Sequence, residues 1–304
     1  PYTPRLIPLV KLGKFSLERF SKWMGGARDF GKIKDPGRMF DWLSRLQLMI
    51  EGLGKYLPVE YLQDARNFIR VCRYLYGGGK TNYLNMFLVF CQYLGISAEE
   101  PEEPIEPARY GIYHPGFGYF QDLEDYLTKI NFNPERPTIG MIFYGGMHLD
   151  QAIPTIQAII SRFPDFNFIP VYSSFHTLDA FRKYFFKEGK PLVDLIFSLY
   201  WFRFNGGPLG GDPAPTLELL RKIDVPVITP AAMFLREVEV WKKSKMGLSP
   251  IEIICAVTWP ELDGCIEPIP ACGLVNISVG DINCKEVSPI EERIERISGR
   301  IDKW

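Results

Sequence analysis

Two carboxylates two residues apart, Glu261 and Asp263, lie in the stretch Trp259-Pro260-Glu261-Leu262-Asp263-Gly264, with a third acid at Glu267. Carboxylates so spaced can take up protons or hand on a metal ion. A turn would use the same residues to cap backbone N–H groups, and Asp-Gly is favoured in turns on backbone grounds alone. His148 stands two residues before Asp150, which suits an oriented general base and equally the start of a helix. His114, in Tyr113-His114-Pro115 ahead of a Gly/aromatic loop, suits a metal-handling or proton-shuttling imidazole, or a hydrogen-bonded one that fixes a linker in place. Tyr200, Trp201, Phe202 and Phe204 run into Asn205-Gly206-Gly207, and Trp259 follows later. Aromatic faces beside glycines that permit close approach can stack a large flat ring, or roof a core.

The elements that must hold these residues fall into two patterns. Residues 14–97 carry apolar positions at helical spacing, in blocks such as Met39-Phe40-Leu43-Leu46-Met49-Ile50, Tyr61 to Leu75 and Tyr83 to Leu94. The spacing predicts a helical N-terminal region over 1–97. Residues 98–109 form an acidic, Pro-rich linker: five glutamates and three prolines within 98–107 repel one another and resist helix, so the stretch reads as extended surface chain. Residues 110–304 then alternate. Apolar runs at Thr138–Tyr144, Phe166–Tyr172, Leu192–Leu199, Pro226–Thr229 and Ile251–Thr258 read as strands, and segments at Leu149–Phe163, Thr177–Lys187, Ala214–Ile223 and Met233–Lys245 as helices. This predicts an α/β domain built on a doubly wound, mostly parallel sheet of Rossmann or flavodoxin type, closed by a C-terminal helix. In such a sheet the ligand crevice lies beyond the carboxyl ends of the strands. That rule gathers Gly145–Asp150, Ser173–Thr177, Tyr200–Pro213, Thr229–Ala232 and Trp259–Cys272 around one mouth.

Composition narrows the function. At 304 residues and 46% hydrophobic, the chain can bury one large core or two ordinary ones. Thirty-five basic against 36 acidic residues give a net charge of −1, which provides no general attraction for nucleic acid or an anionic membrane. Membrane helices need ~20 apolar residues; Leu192 to Phe204 is shorter and is interrupted by Asp194 and Arg203. Six scattered cysteines point to a reducing, cytoplasmic setting, and Cys265, Cys272 and Cys284 lack the close pairing of structural zinc sites. Gly79-Lys80-Thr81 imitates a phosphate loop, but Tyr74 stands where that loop needs glycine and a helix-like segment precedes it. The expected structure there is a helix end followed by a helix start, capped by Thr81 or Asn82, with no ATP bound. The chain opens at Pro1 without methionine, which reads as a piece of something longer.

In order along the chain stand Tyr76-Gly77-Gly78 with Asn82 and Asn85, Tyr113-His114-Pro115, and Arg136-Pro137-Thr138-Ile139-Gly140 leading into Met141-Ile142-Phe143. Gly206-Gly207-Pro208, Leu220 to Val227, Trp241 to Pro268 and Glu292 to Trp304 complete the set. Together these motifs resemble the large subunit of the ATP-dependent cobalt and magnesium chelatases of tetrapyrrole biosynthesis. The resemblance implies a tetrapyrrole substrate and a cobalt or magnesium ion as co-substrate, with a lean to cobalt insertion into a corrin ring in cobalamin biosynthesis. It also implies AAA+-type ATPase motor subunits as partners, which use the ATP. Metal insertion needs a cleft for a flat macrocycle, bases for two pyrrole N–H protons, and ligands that strip water from the ion. On this reading Tyr200, Trp201, Gly206, Gly207 and Trp259 bind the macrocycle, and Glu261, Asp263, His114 and His148 are the candidate catalytic groups. The family's His-Gly followed by Glu is absent, since the histidines precede Pro115, Leu149 and Thr177. The resemblance therefore implies a cobaltochelatase-type ligase that works only in a complex, with this piece inactive alone and its metal ligands unassigned. Two further departures are Gly145-Gly146-Met147-His148 where many members carry Arg-Ser, and Trp259 where an aliphatic residue is usual.

Overall fold

The computed structural model describes residues 60–304 apart from 107, 146–147 and 207–210, together with positions 45, 48, 49 and 52. The helical expectation for residues 14–59 otherwise lies outside the described residues, as does Gly207. The chain divides into two compact units, Pro1–Pro107 and Ala108–Trp304.

In the first unit, helix α1 (Glu60–Gly77) is followed after one residue by α2 (Gly79–Tyr93), and the two pack through Val71, Tyr74, Tyr83, Met86 and Val89. Gly78 and Gly79 both have positive φ, which makes the sharp reversal possible. Gly78 is the N-cap, and no side chain caps α2, contrary to the expectation for Thr81 or Asn82. Asn82 is engaged elsewhere: its amide donates to the Gly78 and Ile105 carbonyls and its oxygen accepts from Ile105 N at 2.9 Å. Asn85 accepts from Glu102 N at 2.8 Å, and Arg70 donates to the Pro101 carbonyl at 2.7 Å. The acidic stretch is thus a strap whose backbone is tied to the helix pair, with Pro101 and Pro104 buried and most glutamates facing water.

The second unit is a mixed α/β fold around a six-stranded sheet. Its elements are β1 (Tyr110–His114), β2 (Gly118–Phe120), α3 (Leu123–Lys129), β3 (Thr138–Tyr144), α4 (Leu149–Ile160), β4 (Asn167–Ser173), α5 (Thr177–Tyr184), a small hairpin of β5 (Phe186–Lys187) and β6 (Lys190–Pro191), β7 (Leu195–Ser198), α6 (Ala214–Ile223) and β8 (Val227–Ile228). The strand order is β2-β1-β4-β3-β7-β8; β4, β3, β7 and β8 run parallel, and β1 and β2 are antiparallel at one edge. Every residue of β3 up to Phe143 is buried, as expected for a strand covered on both faces. Ile139, Met141 and Phe143 meet Ile156 and Ile159 of α4 on one face. Ile142 meets Phe181, Phe185, Leu219 and Ile223 on the other. Gly140 is required between them, since a Cβ there would come within 2.8 Å of the Phe185 ring.

A second, three-stranded sheet follows, with β9 (Ala231–Glu237), α7 (Val238–Lys243), α8 (Pro250–Ile253), α9 (Trp259–Leu262), β10 (Pro270–Val279), β11 (Ile282–Pro289) and the closing α10 (Glu291–Ile301). β9 pairs parallel with β10, which pairs antiparallel with β11. Two sequence expectations fail here. Met233 opens no helix; it lies in β9, and only Val238–Lys243 is helical. Ile251–Thr258 is not a strand but α8 followed by a π-helical turn, Ile254–Thr258. The start signal was in the sequence: Ser249 and Glu252 form a reciprocal capping box with Pro250 at the first helical position. A short apolar run cannot by itself separate strand from buried helix. The Gly280-Asp281 hairpin joining β10 and β11 was also unforeseen, although Gly-Asp between apolar runs is a hairpin signal. Among the described residues no helix is long and apolar enough to cross a membrane.

Candidate functional site

The sequence order of the parallel strands reverses between β3 and β7, so their carboxyl ends frame the switch-point crevice of a doubly wound sheet. The structure fills that crevice. Tyr144, the last residue of β3, stacks on Tyr200 at 3.9 Å between ring centroids and 22° between planes. The Tyr144 hydroxyl donates to the Trp201 carbonyl, and burial pushes this phenol well above its usual range. Tyr200 is 1% exposed, and its hydroxyl accepts from Phe175 N at 3.3 Å. Tyr200 therefore does not present the open face that the sequence reading assigned to it.

Beyond Tyr200 the chain is held in an unusual conformation. Trp201 is 7% exposed, and its indole N–H has no hydrogen-bond partner among the described residues. Phe202 has φ +74°, a strained position for a bulky residue. Its ring lies against Trp201 (6.1 Å, 89°) and also against Trp259 (5.4 Å, 48°), while Phe234 covers another side of Trp201 at 5.4 Å. Trp201, Phe202 and Trp259 therefore form one aromatic group at the strand exit, with Trp259 half-buried. Gly206 is buried at φ +103°.

The two carboxylates proposed as a pair are separated by burial. Glu261 is exposed on α9, whereas Asp263 is 1% exposed and receives Arg203 Nη2 at 2.7 Å, Arg203 Nε at 2.8 Å and Phe204 N at 2.8 Å. Burial pushes the Asp263 carboxyl above its usual value, against the opposing pull of Arg203 and the Phe204 amide. Asp263 thereby ties the β7 exit to the end of α9. Arg203 was missing from the sequence-derived site, yet a lone arginine inside an aromatic run signals a buried acidic partner.

The histidines divide. His148 is exposed at the start of α4, 6.1 Å from the Tyr144 ring, and faces Gln151 Oε1 at 3.3 Å; Asp150 is not its partner. It belongs to the carboxyl-end rim. His114 does not, because β1 runs antiparallel to β4 and carries His114 to the opposite edge. There its Nδ1 accepts from Gly116 N at 3.0 Å, its ring stacks on Phe117, and burial lowers its pKa. His176, outside the sequence-derived set, lies at the rim with Nδ1 donating to the Ser174 carbonyl at 2.8 Å.

Among the described residues no group of three His, Cys, Asp or Glu side chains is placed to hold a metal. Burial pushes the thiols of Cys265 and Cys272 up to about 12 and about 11, which keeps them protonated near neutrality.

The match to known proteins covers the whole second unit. A family model described as CobN/Magnesium Chelatase matches residues 72–304. The chain belongs to the CobN/magnesium chelatase family. A relative within it, magnesium-chelatase subunit ChlH, chloroplastic, of Oryza sativa subsp. indica, is 26% identical over 329 residues, covering 100% of this chain and 23% of that protein. An uncharacterized protein of Methanocaldococcus jannaschii is 29% identical over 249 residues, covering 77% of this chain and 20% of that one. The catalytic subunit of cobaltochelatase from Mycobacterium tuberculosis shares the fold, with TM-score 0.51 and 19% identity over 86% of this chain and 22% of the other. The chain thus spans about a fifth to a quarter of the length of these CobN/magnesium chelatase relatives.

Proposed function

We propose that this chain is part of the large, tetrapyrrole-binding subunit of an ATP-dependent metal chelatase, and that its carboxyl-end rim contributes one wall of the macrocycle cleft. The observation that carries this reading is the pair of indoles, Trp201 and Trp259, that meet the same Phe202 ring at a strand exit of a CobN/magnesium chelatase family fold. Flat, largely apolar macrocycles are bound by aromatic faces, and the exit of β7 supplies them beside the switch point. Metal insertion also needs acceptors for two pyrrole protons. Of the four candidates, exposed Glu261 beside Trp259 and exposed His148 at the rim remain suited to it. Asp263 serves instead to hold the wall, and His114 a turn at the far edge.

In this reading the ATPase motor subunits are separate partners and the rest of the large subunit completes the active site. Cobalt insertion into a corrin is the first reading of the ion. Magnesium insertion into protoporphyrin IX is the second, favoured by matches to magnesium-chelatase subunits of Oryza sativa, over 100% of this chain and 23% of that protein, and of Cereibacter sphaeroides, at 24% identity over 97% of this chain and 26% of that one.

The test is a titration of the 304-residue chain with protoporphyrin IX and with a cobalt-free corrin, read by tryptophan fluorescence. Quenching that Trp259→Ala weakens ~10–100-fold is expected if this indole is a central anchor. No quenching at concentrations that saturate a full-length subunit would leave the rim as a docking surface for the ATPase partner.

A further inference from the structure

The geometry points to Phe202 as an internal plug: its ring occupies the gap between Trp201 and Trp259 that a flat ligand would take, and the π-turn holds it there under strain until the ligand displaces it. This rests on the proposed macrocycle wall and adds a gate to it.

The cause lies in the sequence around Pro260. A helix running through 254–262 needs a backbone N–H at position 260, and proline has none. Proline also crowds the carbonyl one turn back, which favours a widened turn, and the turn here is π. Trp259 N donates to the Ile254 carbonyl, so the next carbonyl, that of Cys255, would require its partner from Pro260. That partner is missing. Phe202 N supplies it across the chain, donating to Cys255 O at 3.1 Å. A buried carbonyl strongly favours being paired, and this bond draws Phe202 into the left-handed region at φ +74°.

Three unfavourable features therefore meet at one place: a π-turn, a phenylalanine at positive φ, and the buried indole N–H of Trp201 without an acceptor among the described residues. Strain of this kind concentrates at clamps and switches. The plug side chain is half-buried and touches both indoles, so it leaves by turning about its own side-chain bonds, while the Tyr144–Trp201 and Arg203–Asp263 ties hold the backbone on either side. Leaving would free the gap. A bound macrocycle would regain the ring contacts, and a peripheral carboxylate or carbonyl on it would match the donor that Trp201 leaves unused.

Two variants test this without a shared weakness. Phe202→Ala removes the plug ring, and Pro260→Ala restores an N–H at 260 without touching the aromatic group. Hydrogen exchange of the ligand-free chain is read first. Pro260→Ala should raise the exchange of residues 199–205 about tenfold, since the hold on Phe202 is relaxed, while 138–144 stays protected. Unchanged exchange at 199–205 overturns the latch whatever the ligand does. Protoporphyrin IX binding is read second. Phe202→Ala should bind about tenfold more tightly than the parent, and Pro260→Ala about threefold more tightly. Equal or weaker binding by Phe202→Ala overturns the plug and makes Phe202 a wall residue. If quenching is insensitive to both Trp201→Ala and Trp259→Ala, the macrocycle wall itself is wrong, and the exchange result alone decides whether Phe202 is latched.

Discussion

The exits of β4 and β7 begin alike and end differently. Each carries a phenylalanine at positive φ within four residues of its strand, Phe175 at +67° and Phe202 at +74°. Phe175 is fixed by its own turn and by one bond to the neighbouring exit: His176 N meets Ser173 Oγ at 3.2 Å, α5 starts at once, and the Phe175 N–H meets the Tyr200 hydroxyl. Phe202 has no helix following directly, and its anchors come from some fifty to sixty residues away, at Cys255 and Trp259, while Asp263 holds the next two residues, Arg203 and Phe204. A short βα turn holds its own shape, whereas a long exit takes its shape from whatever it docks on. The difference makes the shape of the β7 exit depend on residues 255–263.

Four perturbations would break or sharpen that contrast. The largest effect is expected from Asp263→Ala, which leaves Arg203 buried without its acid and should cost ~3–5 kcal/mol in urea denaturation. A loss below ~1 kcal/mol would mean that the β7 exit does not depend on its distant anchor. Next, Tyr144→Phe strips the donor from the Trp201 carbonyl and should cost ~1–3 kcal/mol, with faster hydrogen exchange confined to 199–205. Tyr200→Phe is its counterpart. It should cost ~1 kcal/mol and raise exchange at Phe175 instead, and if both variants loosen both exits equally, the two sides are one cooperative piece.

The smallest effect belongs to His114, on the edge remote from both exits. Burial holds its folded pKa below the usual 6.5. The unfolded chain therefore binds the proton first, so stability is full above about 6.5 and declines as pH falls toward the folded value. His114→Phe should flatten that slope between pH 7 and 5 without altering exchange at 199–205. An unchanged slope would place the titrating group elsewhere.

Some of this was legible in advance. The runs around β3, β4 and β7 are mostly apolar, broken by few polar residues such as Asn167 and Asp194, because both faces of a parallel sheet are covered, so the central strands and the crevice could be read directly. The run 251–258 has the same composition for another reason, and its capping box, more telling than its hydrophobicity, was the feature to weigh. Glu261 and Asp263 were legible as a pair of acids but not as opposites. Only the approach of Arg203, sixty residues earlier in the chain, divides a solvated carboxylate from a sequestered one.

The amino-acid sequence by itself determined the central strands, on which side of the sheet their carboxyl ends lie, and that residue 260 can donate no backbone hydrogen bond, because these follow from local pattern and covalent chemistry. The tertiary structure decided that Tyr144 fills the crevice, that Asp263 is paired, and that Phe202 lies between two tryptophans. Those outcomes depend on which distant groups arrive to satisfy a buried charge, carbonyl or ring face, and no local spacing encodes them.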